Sequence, residues 1–135
     1  MADLDAMGRG TIHDALGIAF AEVREDRLTA TMPVDANTRQ PFGILHGGAS
    51  VVLAESLGSV ASLLACEEGE TPVGIEVNAN HLRAVREGVV TGTAKPVHVG
   101  RSLHVWAVEI ADESGRLVCV ARLTVSIRGP KAPTT

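Results

Sequence analysis

The spacing of apolar and polar residues changes several times along the chain, and each change predicts a different element. From Ala49 to Cys66 nearly all residues are apolar or small, and this segment is too long for an ordinary strand and rich in helix formers. It predicts a helix that is apolar on almost every side, which is typical of a core helix. Elsewhere apolar and polar residues alternate between Gly- and Asp-rich turns, which predicts strands at 18–23, 27–32, 73–82, 89–99, 102–112 and 117–128.

One long helix and about six antiparallel strands predict an α+β fold in which a sheet wraps around the helix, because the apolar face of the sheet can then bury it. The 135 residues suffice for a single domain over 1–135 with a substantial core. A short helical segment at 4–16, broken near Gly8 and Gly10, precedes the first strand. The tail 129–135 contains two prolines and is expected to be flexible.

A membrane span is the competing interpretation of the apolar segment, because the segment is long enough for one. Its composition argues against this interpretation. Glu55 lies in its middle, Gly58 and four serines interrupt it, and two glycines stand at its start. Basic residues do not flank it. We therefore expect a core helix and no membrane association.

Composition excludes further classes of function. The chain has 12 Lys and Arg against 16 Asp and Glu, so it lacks the basic excess of a general nucleic-acid-binding protein. Two Phe, one Trp and no Tyr are too few for a base-stacking platform. The two cysteines lie in apolar segments without zinc-ligand spacing, and we expect no metal site. The N-terminus does not resemble a signal peptide, which favours a cytoplasmic location.

The candidate chemistry lies where a glycine-containing loop leads into the long helix. Gly47 and Gly48 at the helix start can present backbone N–H groups to an anion, and Gln40 and His46 can bond a carbonyl. A buried carboxylate such as Glu55 is costly unless it is hydrogen-bonded or used in a reaction. It is therefore either a satisfied core residue or a catalytic group. The adjacent oxyanion site favours acyl transfer.

The sequence Q-P-F-G-I-L-H-G-G at 40–48, followed by Glu55-Ser56 and Ser59, resembles the hot-dog-fold acyl-CoA thioesterases. The likeness is to the branch of the Arthrobacter-type 4-hydroxybenzoyl-CoA and phenylacetate-pathway thioesterases, and within it to 1,4-dihydroxy-2-naphthoyl-CoA hydrolases. It covers nearly the whole chain and includes 31–35, 76–83 and Trp106. The resemblance implies the hot-dog fold, with a long helix wrapped by the sheet. It also implies hydrolysis of an acyl-CoA thioester with an aromatic acyl group.

The resemblance also implies roles for individual residues. Gln40 and the Gly47 N–H, with His46 close by, would bond the thioester oxygen, and Ser59 would hold a water beside Glu55. Glu55 would act as nucleophile or as general base, and the sequence leaves both open. The acyl group and the CoA phosphates would contact Ser56, His81, Arg83, Arg101, Ser102 and Arg128. No cofactor is implied, because coenzyme A is part of the substrate.

Three histidines and Ser62 are polar residues without a predicted catalytic role. Helical spacing places Ser62, like Ser59, on the face of the helix that carries Glu55. We expect His13 to be exposed, and we assign no role to His98 and His104.

Helix geometry predicts more than one subunit. Gly47 and Glu55 are eight residues apart, or roughly 12 Å along a helix axis at about 1.5 Å per residue. One thioester carbon cannot be reached by both groups of the same chain. Two helices antiparallel across a two-fold axis would bring Gly47 of one copy to Glu55 of the other, and would do so twice. We expect a homodimer at least, and the resemblance implies a homotetramer.

Two other functions stay open at this point. One is an acyl-CoA dehydratase on the same fold, and the other is an acyl-CoA sensor without catalysis, because a fold alone does not fix a function. The sequence also leaves the acyl group undetermined, and a carrier-protein thioester could replace coenzyme A.

Overall fold

The computed structural model describes residues 2–130, and over that range it contains three helices and six strands. The helices are α1 (Ala2–Met7), α2 (Ile12–Leu16) and α3 (Gly47–Ala65). The strands are β1 (Ala19–Val23), β2 (Leu28–Pro33), β3 (Thr71–His81), β4 (Val89–Val99), β5 (Leu103–Ala111) and β6 (Leu117–Arg128). Met1 and residues 131–135 lie outside the described residues. The latter are most of the tail that is expected to be flexible.

The six strands form one antiparallel sheet in the order β1-β2-β4-β5-β6-β3, so β1 and β3 are its edges. α3 packs against one face of this sheet. The core between them contains fully buried side chains from both layers: Leu53, Leu57, Val90, Val108, Ile110, Leu123 and Val125. The predicted arrangement of one long helix and six strands is confirmed, and the strand limits agree with those predicted to within two residues.

Two glycines bring α3 and the sheet into close contact. A Cβ atom on Gly58 of α3 would collide with the side chain of Leu123 in β6. A Cβ atom on Gly92 of β4 would lie 2.6 Å from Leu57 Cδ1. These positions leave room for leucine side chains of the opposite layer, and the resulting close packing holds the helix in one place on the sheet.

The surroundings of α3 are those of a core helix. The helix has 19 residues, and an 18-residue stretch of it has a mean hydropathy of 1.5, which by length and composition would allow a membrane span. However, 56% of that stretch is buried inside the fold. The expectation of burial on nearly every side is wrong for the last turn. Leu63 and Leu64 there are 39% and 51% exposed, because the sheet covers only one side of the helix.

Ser62 and His104 have a structural role that the sequence did not indicate. Ser62 is fully buried beneath β5, two turns beyond Glu55. Its Oγ accepts a hydrogen bond from Trp106 Nε1 at 2.7 Å and is hydrogen-bonded to His104 Nδ1 at 2.9 Å. Ser62 therefore connects the helix to the sheet through hydrogen bonds and is not one of the residues around Glu55.

Replacing Ser62 with alanine should lower the free energy of unfolding by about 1–3 kcal/mol, because the buried N–H of Trp106 loses its acceptor. Ser59→Ala is the matched control on the same helix, since Ser59 is half-buried and lines a cleft. It should change stability by about 0.5 kcal/mol or less. Chemical denaturation measures both values, and equal stability of the two variants would contradict the role of Ser62.

Candidate active site

α3 begins at a cap formed by His46. This residue is extended, and its Nδ1 accepts a hydrogen bond from the Gly48 N–H at 2.7 Å. The expectation of two free N–H groups is therefore wrong for Gly48, whose N–H is bonded to the cap. Among the described residues no acceptor is found for the Gly47 N–H. It stands at the positive end of the helix dipole, where an anionic oxygen is favoured.

Gln40 lies in the tight loop that precedes α3. Its backbone N–H donates to the Ile44 carbonyl at 2.8 Å, and Gly43 turns the chain with a φ of 84°, which favours glycine. The side-chain Oε1 accepts a hydrogen bond from the Phe42 N–H. Because the amide oxygen is occupied, the amide nitrogen is the end of Gln40 that can donate to a substrate oxygen.

A first cleft, of about 380 Å³, collects the groups predicted to bind the thioester oxygen. Gln40 and Gly47 line it together with His81, the last residue of β3, and Arg83, two residues further along the chain. His81 packs directly on Gly47, since a Cβ atom on that glycine would lie 2.8 Å from His81 Nε2. We call these four residues the oxyanion half-site.

A second cleft, of about 300 Å³, lies between α2 and α3 and contains Glu55. Ser56 and Ser59 line it as predicted; Ser56 is buried, while Glu55 and Ser59 are half-buried. Glu55 Oε2 lies against the backbone of β3, because a Cβ atom on Gly74 would be 2.8 Å from it. We call Glu55, Ser56 and Ser59 the carboxylate half-site.

The two half-sites are separate within one chain. No described residue lines both clefts. The start of α3 and Glu55 are eight residues apart on a continuous helix, or roughly 12 Å at about 1.5 Å per residue. A single chain therefore presents an oxyanion-binding group and a carboxylate in different places.

The predicted phosphate-binding residues also fall into two groups. Arg101 and Ser102 form the β4–β5 turn, and the Ser102 carbonyl accepts a hydrogen bond from the β6 backbone beside Arg128 at 3.0 Å. Arg128 in turn is paired with Thr71 at the start of β3. Arg83 lies two residues beyond the other end of β3. The two ends of that strand are roughly 33 Å apart at about 3.3 Å per residue. One chain does not bring Arg83 together with the other three.

Comparison with known proteins identifies the family of the chain. The sequence profile described as the thioesterase superfamily matches residues 42–119, which is more than half of the chain. The chain belongs to the thioesterase superfamily. It therefore has the hot-dog fold and is an enzyme that hydrolyses thioesters.

Individual proteins of the family are similar to this chain over nearly its whole length. The thioesterase is 58% identical over 125 residues to the 1,4-dihydroxy-2-naphthoyl-CoA hydrolase of Escherichia coli, covering 92% of this chain and 91% of that one. It is 48% identical over 126 residues to the proofreading thioesterase EntH of Cronobacter sakazakii, covering 93% and 92%. The crystal structure of a mutant thioesterase PA1618 from Pseudomonas aeruginosa superposes with a TM-score of 0.94 at 49% identity, covering 96% and 94%.

His13 lies in the Glu55 cleft, and the sequence did not reveal this position. It was expected to be exposed, but the structure places it half-buried on α2, where it lines the same cleft as Glu55. The short helix folds back over α3, and this depends on contacts far apart in the sequence. No local pattern around His13 indicated it.

Gly74 was also missed, although a signal was present. An isolated glycine in a strand pattern marks a bulge or a close approach of the backbone. Both occur here, because the β3–β6 register shifts between Gly74 and Glu76 and the Glu55 carboxylate lies against the Gly74 backbone. The position of Glu55 therefore depends on the missing side chain at residue 74.

Gly74→Ala should lower the kcat of the thioesterase by roughly 10- to 100-fold, because the added methyl group displaces the Glu55 carboxylate. Only the mobile end of Glu55 has to move, since the next nearest side-chain carbon outside Glu55, Leu123 Cδ1, is 3.6 Å from the added Cβ. Circular dichroism and thermal melting should therefore be nearly unchanged. Full activity in this variant would contradict the requirement for Glu55 in its observed position.

Proposed function

We propose that this thioesterase hydrolyses acyl-CoA thioesters with an aromatic acyl group, releasing the free acid and coenzyme A. The single observation that supports the reaction is the pair of complementary half-sites, one with donors for an oxyanion and one with a carboxylate. The substrate class is supported by the relative named 1,4-dihydroxy-2-naphthoyl-CoA hydrolase. It is also supported by the apolar walls of the Glu55 cleft, formed by Ile12, Val52 and Val60.

The oxyanion half-site polarises the thioester carbonyl. The Gly47 N–H and the Gln40 amide nitrogen donate to the carbonyl oxygen, and the dipole of α3 adds a favourable potential at its N-terminus. His46 caps the N-terminus of α3 by accepting the hydrogen bond from the Gly48 N–H. Negative charge that develops on the oxygen is stabilised by donors already in place before the reaction.

The carboxylate half-site completes the reaction from the other side of the carbonyl. In one route Glu55 attacks the carbon, which expels the thiolate and leaves a mixed anhydride that water then hydrolyses to the free acid. In the other, Glu55 takes a proton from a water that Ser59 holds one helical turn away, and that water attacks the carbon and expels the thiolate. Ser56, buried beside it, orients the carboxylate or the acyl group. The leaving group is a thiolate, which departs without a strong general acid. The scheme uses neither a metal nor an added cofactor.

The reaction requires two copies of the chain, and β3 is the proposed contact. It is an edge strand with unpaired backbone groups, and it exposes the apolar side chains of Val73 and Ile75. Antiparallel pairing of two β3 strands about a two-fold axis reverses their ends. The end of β3 that packs on Gly47 in one copy then approaches the part that packs on Glu55 in the other.

The same two-fold axis would also unite the phosphate-binding residues. Within one chain Arg83 and Arg128 lie at opposite ends of β3. In an antiparallel pair, Arg83 of one copy approaches Arg101, Ser102 and Arg128 of the other. Their guanidinium groups suit the phosphates of coenzyme A, which carry several negative charges. Association into a homotetramer, use of an acyl carrier protein and the cytoplasmic location stay predictions.

Thiol release from a panel of acyl-CoAs tests the proposal. Hydroxybenzoyl-, dihydroxynaphthoyl- and phenylacetyl-CoA should be hydrolysed faster than short and long aliphatic thioesters. Glu55→Ala should lower kcat by about 10²- to 10⁴-fold or more, the range attributed to a positioned base. The variant should melt at nearly the wild-type temperature.

Glu68→Ala, an exposed carboxylate in the turn after α3, is the control and should retain full activity. Faster turnover of aliphatic thioesters would contradict the aromatic substrate class while leaving the reaction intact. Wild-type rates in Glu55→Ala would contradict the mechanism.

A further inference from the structure

The imidazole of His13 lies in the Glu55 cleft without a function in the reaction described above. His13 belongs to α2, which forms the wall of the cleft opposite α3. Its ring packs on the backbone at Gly8, where a Cβ atom would lie 3.1 Å from Nδ1, and it meets the Phe20 ring edge-on at 6.1 Å. These contacts fix the ring in one orientation.

The two ring nitrogens of His13 have different surroundings. Nδ1 is buried and has no hydrogen-bond partner among the described residues, whereas Nε2 is not one of the buried unpaired atoms. Burial also lowers the pKa of His13 below its usual value, so the ring is neutral at neutral pH. A neutral imidazole has one proton, and an N–H group without an acceptor is the costlier group to bury. The proton therefore resides on Nε2, which is left as a hydrogen-bond donor.

The chemistry of the cleft determines what this donor can bind. Three apolar side chains, Ile12, Val52 and Val60, form its walls, and these suit the flat face of an aromatic ring. Three polar residues of α3 line the cleft, and all have a role in the proposed reaction. Glu55 and Ser59 act at the thioester carbonyl, and Ser56 orients the carboxylate or the acyl group. His13 is the polar side chain on the opposite wall. An imidazole N–H is matched by an oxygen that accepts a hydrogen bond.

We propose that His13 is a specificity-determining residue that donates a hydrogen bond from Nε2 to an oxygen substituent on the aromatic acyl group. The thioesterase thereby prefers hydroxylated aromatic acyl thioesters over the unsubstituted ones. A site that hydrogen-bonds a substrate hydroxyl disfavours the analogue without it, because the polar group of the site is then left unpaired. This inference rests on the proposed hydrolysis of aromatic acyl-CoA.

The test compares kcat/KM for 3- and 4-hydroxybenzoyl-CoA with kcat/KM for benzoyl-CoA. Wild-type protein should prefer at least one hydroxylated substrate, and His13→Leu should reduce that preference about five- to tenfold, the value of one neutral hydrogen bond. His13→Gln keeps an N–H donor and should restore part of the preference. His98→Leu removes an exposed imidazole on β4, outside the cleft, and should leave the ratio at the wild-type value.

Nitrogen NMR of the imidazoles provides a measurement that needs no variant. The His13 ring should show the Nε2–H tautomer, and added 4-hydroxybenzoate or 3-hydroxybenzoate should shift its Nε2 resonance more than benzoate does. A ratio unchanged in His13→Leu, with no such shift, would contradict the role of His13 while CoA release continues. Absence of CoA release from all three thioesters in the wild type would instead contradict the proposed function.

Discussion

The burial of α3 under the sheet is the constraint on which the rest of this structure depends. The helix is continuous from Gly47 to Ala65, and its apolar side chains fill the core between the layers. The residues of α3 are therefore held at fixed distances from one another. The free N–H at its start and the carboxylate of Glu55 cannot approach one another within a chain, because the rigid helix that supports both keeps them apart.

β3 is the strand of the sheet that contacts both of these positions on the helix. Gly47 lies against His81 at the end of the strand, and Glu55 lies against Gly74 near its beginning. Because β3 is an edge strand with exposed apolar residues, it is also the part of the sheet most suited to meet a second copy. One strand thus relates the proposed catalytic groups, the proposed phosphate-binding arginines and the proposed two-fold axis. In the proposed function, the dimer contact and the active site therefore share this strand.

The features that the sequence predicted are those with a local cause. The helix follows from a long apolar segment behind two glycines, and the strands follow from alternation between turns, so their limits agree with the structure. Features that depend on distant contacts were not predicted. Ser62 meets His104 and Trp106 more than forty positions away in the chain, and His13 reaches the Glu55 cleft only because α2 folds back over α3. The capping bond that occupies the Gly48 N–H depends on the orientation of the His46 side chain, which spacing alone does not give.

Subunit complementation tests the shared site most directly. Gln40→Ala and Glu55→Ala chains are each expected to be nearly inactive, and they would be mixed by joint refolding in equal amounts. If each site takes Gln40 from one copy and Glu55 from the other, half of the dimers are mixed and each has one intact site. About one quarter of the wild-type activity should then return. If the mixture is no more active than the separate variants, although mixed dimers form, the site lies within one chain and the account is wrong.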